Sequence, residues 1–260
     1  MLAALALMLC TSCELPATPV IGVDAGTVDV ELVLAVDVSS SMDEGEFALQ
    51  RAGYVKALRH PDFVNAVLSG VRGRIAVTYF EWAGTVQQES VIPWQIIDSR
   101  DSADEFAAKL AVRPIGGSGG TSISNAVAFG ASLLQDNDFR GEKKVIDISG
   151  DGPNNTGAPV EVARNNAVAT GIIINGLPIL VRPTGSLEDI DRYYAECVTG
   201  GPGSFVLPIH LASEFITAIR RKLILEVSGV TDAPDILKIQ ATEPVNCLVG
   251  ERYRLVYPEP

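Results

Sequence analysis

The chain has 260 residues, enough for one large α/β domain with short extensions and a sizeable core. Hydrophobic residues make up 47% and charged residues 20%, which excludes a disordered chain. Acidic residues outnumber basic ones 32 to 20, a formal net charge of −12; the longest basic cluster, Arg220-Arg221-Lys222, is too short to reverse that field, so nucleic acid is excluded as a partner.

Met1 to Leu9 is almost wholly Leu, Ala and Met. The run is far too short to span a bilayer but suits the apolar core of a secretion signal. The plain alternative is a buried strand or helix of the domain, against which stands the Pro/Gly/Ala-rich stretch Leu15–Gly26 that follows. No Lys or Arg precedes it, so part of the leader is expected to lie upstream or to have been trimmed. Thr11-Ser12-Cys13 resembles the lipobox of bacterial lipoproteins, with Cys10 standing where that pattern has Leu. Both a lipid anchor on Cys13 and cleavage to a soluble product fit. Residues 1–28 are therefore read as signal and linker of an exported protein of the periplasm or cell envelope, 29–228 as the domain, and 229–260 as a C-terminal extension.

Within the domain, apolar runs alternate with helical patterns. Val30–Val36 is nearly continuous in apolar residues, as strands buried on both faces are. Glu44–Leu58 has helical spacing and Pro61 just beyond it. Arg74–Phe80 is a strand, and Val86–Trp94, which holds Pro93, suits an antiparallel edge strand. Ser102–Val112 is a helix with Asp104 and Glu105 near its start. The glycine-rich stretch Gly116–Gly120 leads into a helix over Ser122–Leu134. Then come a strand at Lys143–Ser149, a helix at Val160–Thr170, a strand opening at Gly171–Ile174, a helix at Leu187–Cys197, a strand at Ser204–Ile209 and a helix at Ala212–Leu225. In the extension, Leu237–Ala241 and Tyr253–Val256 could be short strands. This alternation predicts a doubly wound, mostly parallel sheet with one antiparallel edge strand and helices on both faces. In such sheets ligands bind beyond the carboxyl ends of the strands, where strand order reverses.

Two such places carry chemistry. Asp37-Val38-Ser39-Ser40-Ser41 follows the first strand, and its carboxylate and alternate hydroxyls could converge as the chain turns. Such oxygens are ligands for a hard cation, although Ser and Asp also cap helices. Asp151 follows the strand VIDI between Gly150 and Gly152, and Thr121 follows the glycine-rich loop. That loop could cradle phosphate, but no Lys follows as a P-loop requires; an ordinary turn for Asp151 and a helix cap for Thr121 are the plain alternatives.

Asp37, Ser39 and Ser41, then Thr121, then Asp151, resemble the metal-ion-dependent adhesion site of von Willebrand factor A domains, in order and element context. The resemblance covers roughly Val30 to Ser228. Phe80-Glu81-Trp82, Val145 to Asn155, Ile174 to Leu177 and Gly200 to Phe205 are similar to an exported bacterial family of unknown function, DUF1194; Gly150 departs from many A domains, where a bulkier residue is common. The resemblance implies that Ser39 and Ser41 bind Mg²⁺ (or Mn²⁺) directly. It implies also that Asp37 and Asp151 balance the charge, and that Thr121 coordinates directly or through water. An Asp or Glu of an envelope protein would complete the shell, so the implied role is binding without catalysis. A metal-dependent hydrolase and a metal-free scaffold are the alternatives. Asp37 resembles the nucleophile of haloacid dehalogenase-like phosphatases, which want a second aspartate where Ser39 stands. As general bases there are only His60, His210 and Glu81.

Outside the leader the cysteines are Cys197 and Cys247. In an oxidising compartment they could close a loop of about 50 residues, contributing roughly 4 kcal/mol on the chain-entropy account. Two separate buried thiols is the other reading.

Overall fold

A computed structural model describes residues 26–113, 117, 119–181, 189–228 and 244–256. The leader, Leu237–Ala241, Gly116 and Ser118 lie outside the described residues.

Five strands form one sheet in the order β3-β2-β1-β4-β5. They are β1 (Thr27–Asp37), β2 (Ile75–Trp82), β3 (Val86–Ile97), β4 (Arg140–Gly150) and β5 (Ile172–Pro178). All neighbours are parallel except β2 and β3. The expected fold class is the observed one. Even-numbered β1 residues, Leu32 to Val36, pack under α1 (Glu44–Leu58), α2 (Pro61–Leu68), α3 (Arg100–Ala111) and α7 (Phe215–Ser228). Odd-numbered Val33 and Ala35 pack under α4 (Ile123–Gln135), α5 (Val160–Ala169) and α6 (Ile190–Tyr193), which continues as a π-helical turn at Tyr194–Val198. Helices on both faces explain why β1 reads as a continuous apolar run. The chain runs to β2 on one side of β1 and returns to β4 on the other, which puts the crevice between the carboxyl ends of β1 and β4.

Three expectations fail. Pro61 does not merely stop α1; it is the first residue of α2, behind the capping residue His60, a position where its missing N–H costs nothing. The strand expected at Ser204–Ile209 makes only single bridges, Val206 to Gly176 and Ile209 to Ile179. Leu207 N and Ile209 N donate to Gly176 O and Pro178 O, but Pro178 lacks the amide that a continuous ladder would need between them. Tyr253–Val256 is not a strand but the end of helix α8 (Val249–Val256), which carries Glu251 in its first turn and Arg254 in its last, in keeping with the helix dipole.

Under α7 lies a buried charge cluster. Lys222 Nζ is 2.6 Å from Asp147 Oδ1 and 2.5 Å from Glu226 Oε1. All three residues are at most 3% exposed. Tyr54 Oη donates to Asp147 at 3.4 Å and Asn175 Nδ2 to Glu226 at 3.3 Å. Burial first, then the Asp147 charge, raise the Glu226 carboxyl to about 7 against the pull of Lys222.

Cys197 and Cys247 form a disulfide. It joins the π-helical turn to the segment leading into α8. Val245 N donates to Glu196 Oε2 at 2.7 Å beside it.

Candidate metal centre

The crevice is built where β1 ends. The ladder to β2 extends one residue further, Val38 N donating to Trp82 O at 2.8 Å. The chain then turns back, and Ser39 N donates to Asp37 Oδ1 at 2.7 Å. Gln50 on α1 holds the Asp37 carbonyl at 3.1 Å. The turn brings the Ser39 and Ser41 hydroxyls to 3.1 Å of each other. Ser41 Oγ donates to Asp151 Oδ1 at 2.5 Å, across 110 residues of sequence. Four of the five expected residues thus form one connected cluster.

Thr121 stands on the neighbouring wall. Its amide donates to Asn155 Oδ1 at 2.9 Å, and its carbonyl accepts the Asn155 amide at 2.9 Å. A Cβ placed on Gly152 would lie 3.9 Å from Thr121 Oγ1, which sets that hydroxyl beside the Asp151 turn. No described residue hydrogen-bonds it.

The plain structural duties of these hydroxyls are carried by others. Asp43 caps α1, accepting Glu46 N at 2.8 Å while Glu46 Oε2 accepts Asp43 N at 3.1 Å. Ser122 caps α4, accepting Asn125 N at 3.3 Å. Neither Ser39, Ser41 nor Thr121 is needed as a cap.

Asp37 is fully buried, and among the described residues its Oδ2 has no hydrogen-bond partner. No Lys or Arg of the described residues pairs with it. Burial pushes its carboxyl well above the usual range, and the Asp151 charge pushes the same way; bonds from Ser39 and the Asp151 backbone offset only part. Gly150 explains how the site closes behind Asp37. A Cβ there would fall 2.6 Å from both Asp37 Oδ2 and Tyr194 Oη, so glycine is the residue that lets both approach. Tyr194 Oη is also buried without a partner among the described residues.

These observations test a cation against the site. Among the described residues no group of three His, Cys, Asp or Glu converges. A ligand set here therefore rests on hydroxyls plus carboxylates. That donor chemistry suits a hard divalent ion, and an orphaned buried carboxylate oxygen is what such an ion would neutralise. The residues fit.

The three candidate bases lie elsewhere or are engaged. His60 Nδ1 accepts the Asp62 amide at 3.2 Å in capping α2. His210 is exposed beyond β5, its amide bonded to Glu214. Glu81 pairs with Arg51 and accepts Tyr79 Oη at 2.8 Å. Sequence reasoning missed Tyr194, Gln50 and Asn155, which lie far from the ligand motifs in the chain. An Asn-Asn pair soon after Asp151 was the one visible signal.

A family model described as "Protein of unknown function (DUF1194)" matches residues 27–231. No curated protein matches the chain. Among solved structures, proximal thread matrix protein 1 from the mussel byssus, with a zinc-occupied MIDAS motif, is similar at 17% identity and TM-score 0.57, over 77% of this chain and 48% of that one. A von Willebrand factor type A protein from Catenulispora acidiphila matches at 16% identity and TM-score 0.53, over 77% and 43%. The pilus adhesin SpaC of Lactobacillus rhamnosus GG matches at 14% and TM-score 0.58, over 78% and 31%. The chain spans less than half the length of each, and at these identities the likeness is one of fold.

Proposed function

The chain belongs to the DUF1194 family and has the von Willebrand factor A-type fold, and from that premise we propose that it is an exported binding module using a divalent metal to capture a protein partner. In this reading Ser39 and Ser41 hold the cation through their hydroxyls. Asp37 and Asp151 balance its charge, and Thr121 contributes from the neighbouring wall. A bound Mg²⁺ or Mn²⁺ would supply an electropositive coordination position for an Asp or Glu carboxylate of an envelope protein. The chain's own residues do the rest: Gln50 and the Ser39 amide fix Asp37, Asn155 fixes Thr121, and Gly150 keeps the floor open.

The observation that carries the reading is Asp37, a fully buried carboxylate with an oxygen unpartnered and no cation of its own among the described residues. Uncompensated buried charge is costly unless something neutralises it. Catalysis is not part of the proposal, since proton transfer needs a positioned base and Glu81 is already tied to Arg51. Export rests on the apolar leader and on the Cys197–Cys247 disulfide, which suits an oxidising compartment; a lipid on Cys13 belongs to the same proposal.

Mg²⁺ or Mn²⁺ binding only the native state should raise the melting temperature, by roughly 5–10 °C at a hundredfold excess over Kd. Calorimetry of wild type and Asp37→Ala in metal and in chelator is the check. An equal response in both would place the ion elsewhere.

A further inference from the structure

Helix α8 lies outside the family match, yet it walls the crevice. The disulfide and the Val245–Glu196 bond fix the chain just before it. Tyr193 Oη donates to Cys247 O at 3.4 Å, and Asn154 Nδ2 donates to Glu251 Oε1 at 2.8 Å. Gly250 sits so tightly on the Asp151–Asn155 turn that a Cβ would fall 2.1 Å from Asn154 O. The helix is thus fixed to the turn that carries one candidate ligand, Asp151, and Asn155, the support of another, Thr121.

Its last turn brings Arg254 to the rim. Arg254 Nη1 lies 3.1 Å from where a Cβ of Gly120 would be, directly before Thr121. The side chain is half-buried, and no described residue gives it a hydrogen bond or ion pair. A guanidinium partly withdrawn from water is costly without an acceptor and is shaped to take a carboxylate with two parallel bonds. On a chain of net charge −12, this is a cation placed against the trend. The α1 side of the crevice is acidic instead, with exposed Asp43 and Glu44.

We propose that α8 is part of the binding face and that Arg254 is a second, metal-independent anchor for the partner. The partner segment then carries two acidic residues. One sits at the Ser39–Ser41–Asp151 cluster and the other on Arg254, the segment running toward α8 and away from α1. The inference rests on the metal-assisted reading of the same crevice and adds the partner's chemistry to it.

The test uses the full, disulfide-bonded chain in Mg²⁺ and fluorescent peptides carrying either one aspartate or two at varied spacing, followed by anisotropy. The best two-acid peptide should bind wild type about tenfold more tightly than the one-acid peptide. Arg254→Ala should erase that gap, and Arg254→Lys should restore part of it. The melting temperature should stay unchanged, because Arg254 supports nothing within the described fold. Equal affinities for the two peptides, no peptide binding at all, or tighter binding by Arg254→Ala (which would make α8 a lid) would each overturn the proposal. The metal-induced melting shift and its loss in Asp37→Ala need no peptide, so failure of the metal reading is seen separately.

Discussion

Two buried acidic clusters flank β4 and have opposite fates. Under α7, Asp147 and Glu226 enclose Lys222, whose ammonium reaches both. At the carboxyl end of the sheet, Asp37 is buried as completely but, among the described residues, meets hydroxyls, amides and the charge of Asp151 and no cation. The same residue type is neutralised from within in one place and, in the proposed reading, from outside in the other. A buried carboxylate with its own lysine is architecture, whereas one without a cation is a candidate site.

The largest effect that could break this comparison is expected at Lys222. Lys222→Met leaves two carboxylates buried without their cation and should cost about 3–5 kcal/mol in chemical denaturation. A loss near zero would mean that the α7 cluster is not held by its lysine.

The next concerns proton balance, since one ammonium faces two carboxylates. Glu226 titrates near 7 in the fold against 4.5 in its unperturbed state, so between these values the folded form binds more protons than the unfolded one. Its contribution to stability is therefore fullest below pH 4.5, falls as pH rises to about 7, and is flat above. The loss is at most about 3 kcal/mol. Glu226→Gln should flatten that part of the melting profile relative to wild type, and parallel profiles would show that the second carboxylate is neutralised by another route.

The smallest effect is the most discriminating. In chelator, Asp37→Asn should change stability by less than about 1 kcal/mol, and upward, because it removes an unneutralised buried charge while keeping an acceptor for Ser39 N. A loss as large as that of Lys222→Met would mean that Asp37 is satisfied internally and that the two clusters are alike.

The fold was legible because both faces of the sheet are covered, which turns each parallel strand into an unbroken apolar run such as Val30–Val36. The candidate ligands were legible because each sits where a strand ends or a helix begins. What escaped reading depends on distances the sequence does not carry. Lys222 looks like one third of a basic surface cluster, yet it is wholly buried. Asp147, a carboxylate in the middle of an apolar strand, was the signal that a cation had to be nearby. Tyr194 gives no local hint that it faces Asp37. Arg254 lies in a segment whose alternation reads as a strand, and only its attachment through Cys247 and Glu251 makes it part of the crevice. The Gly150 departure from other A domains has its physical cause in the close approach of Asp37 and Tyr194.

The β1–β4 ladder, which joins the two halves of the crevice, also sets a timetable. The Ser41–Asp151 bond closes a span of 110 residues, a loop-closure cost that local elements such as the α1 capping box never face. Contacts of such long range are intrinsically slow to form. During synthesis at about 5–20 residues per second, Asp37 leaves the ribosome roughly 5–20 s before Asp151 does. An N-terminal fragment, however well its helices form, therefore holds the Asp37, Ser39 and Ser41 oxygens without Asp151 to close the cluster. In the proposed reading, cation affinity at this crevice would accordingly appear all at once, when β4 docks beside β1, and would count finished molecules instead of guiding unfinished ones.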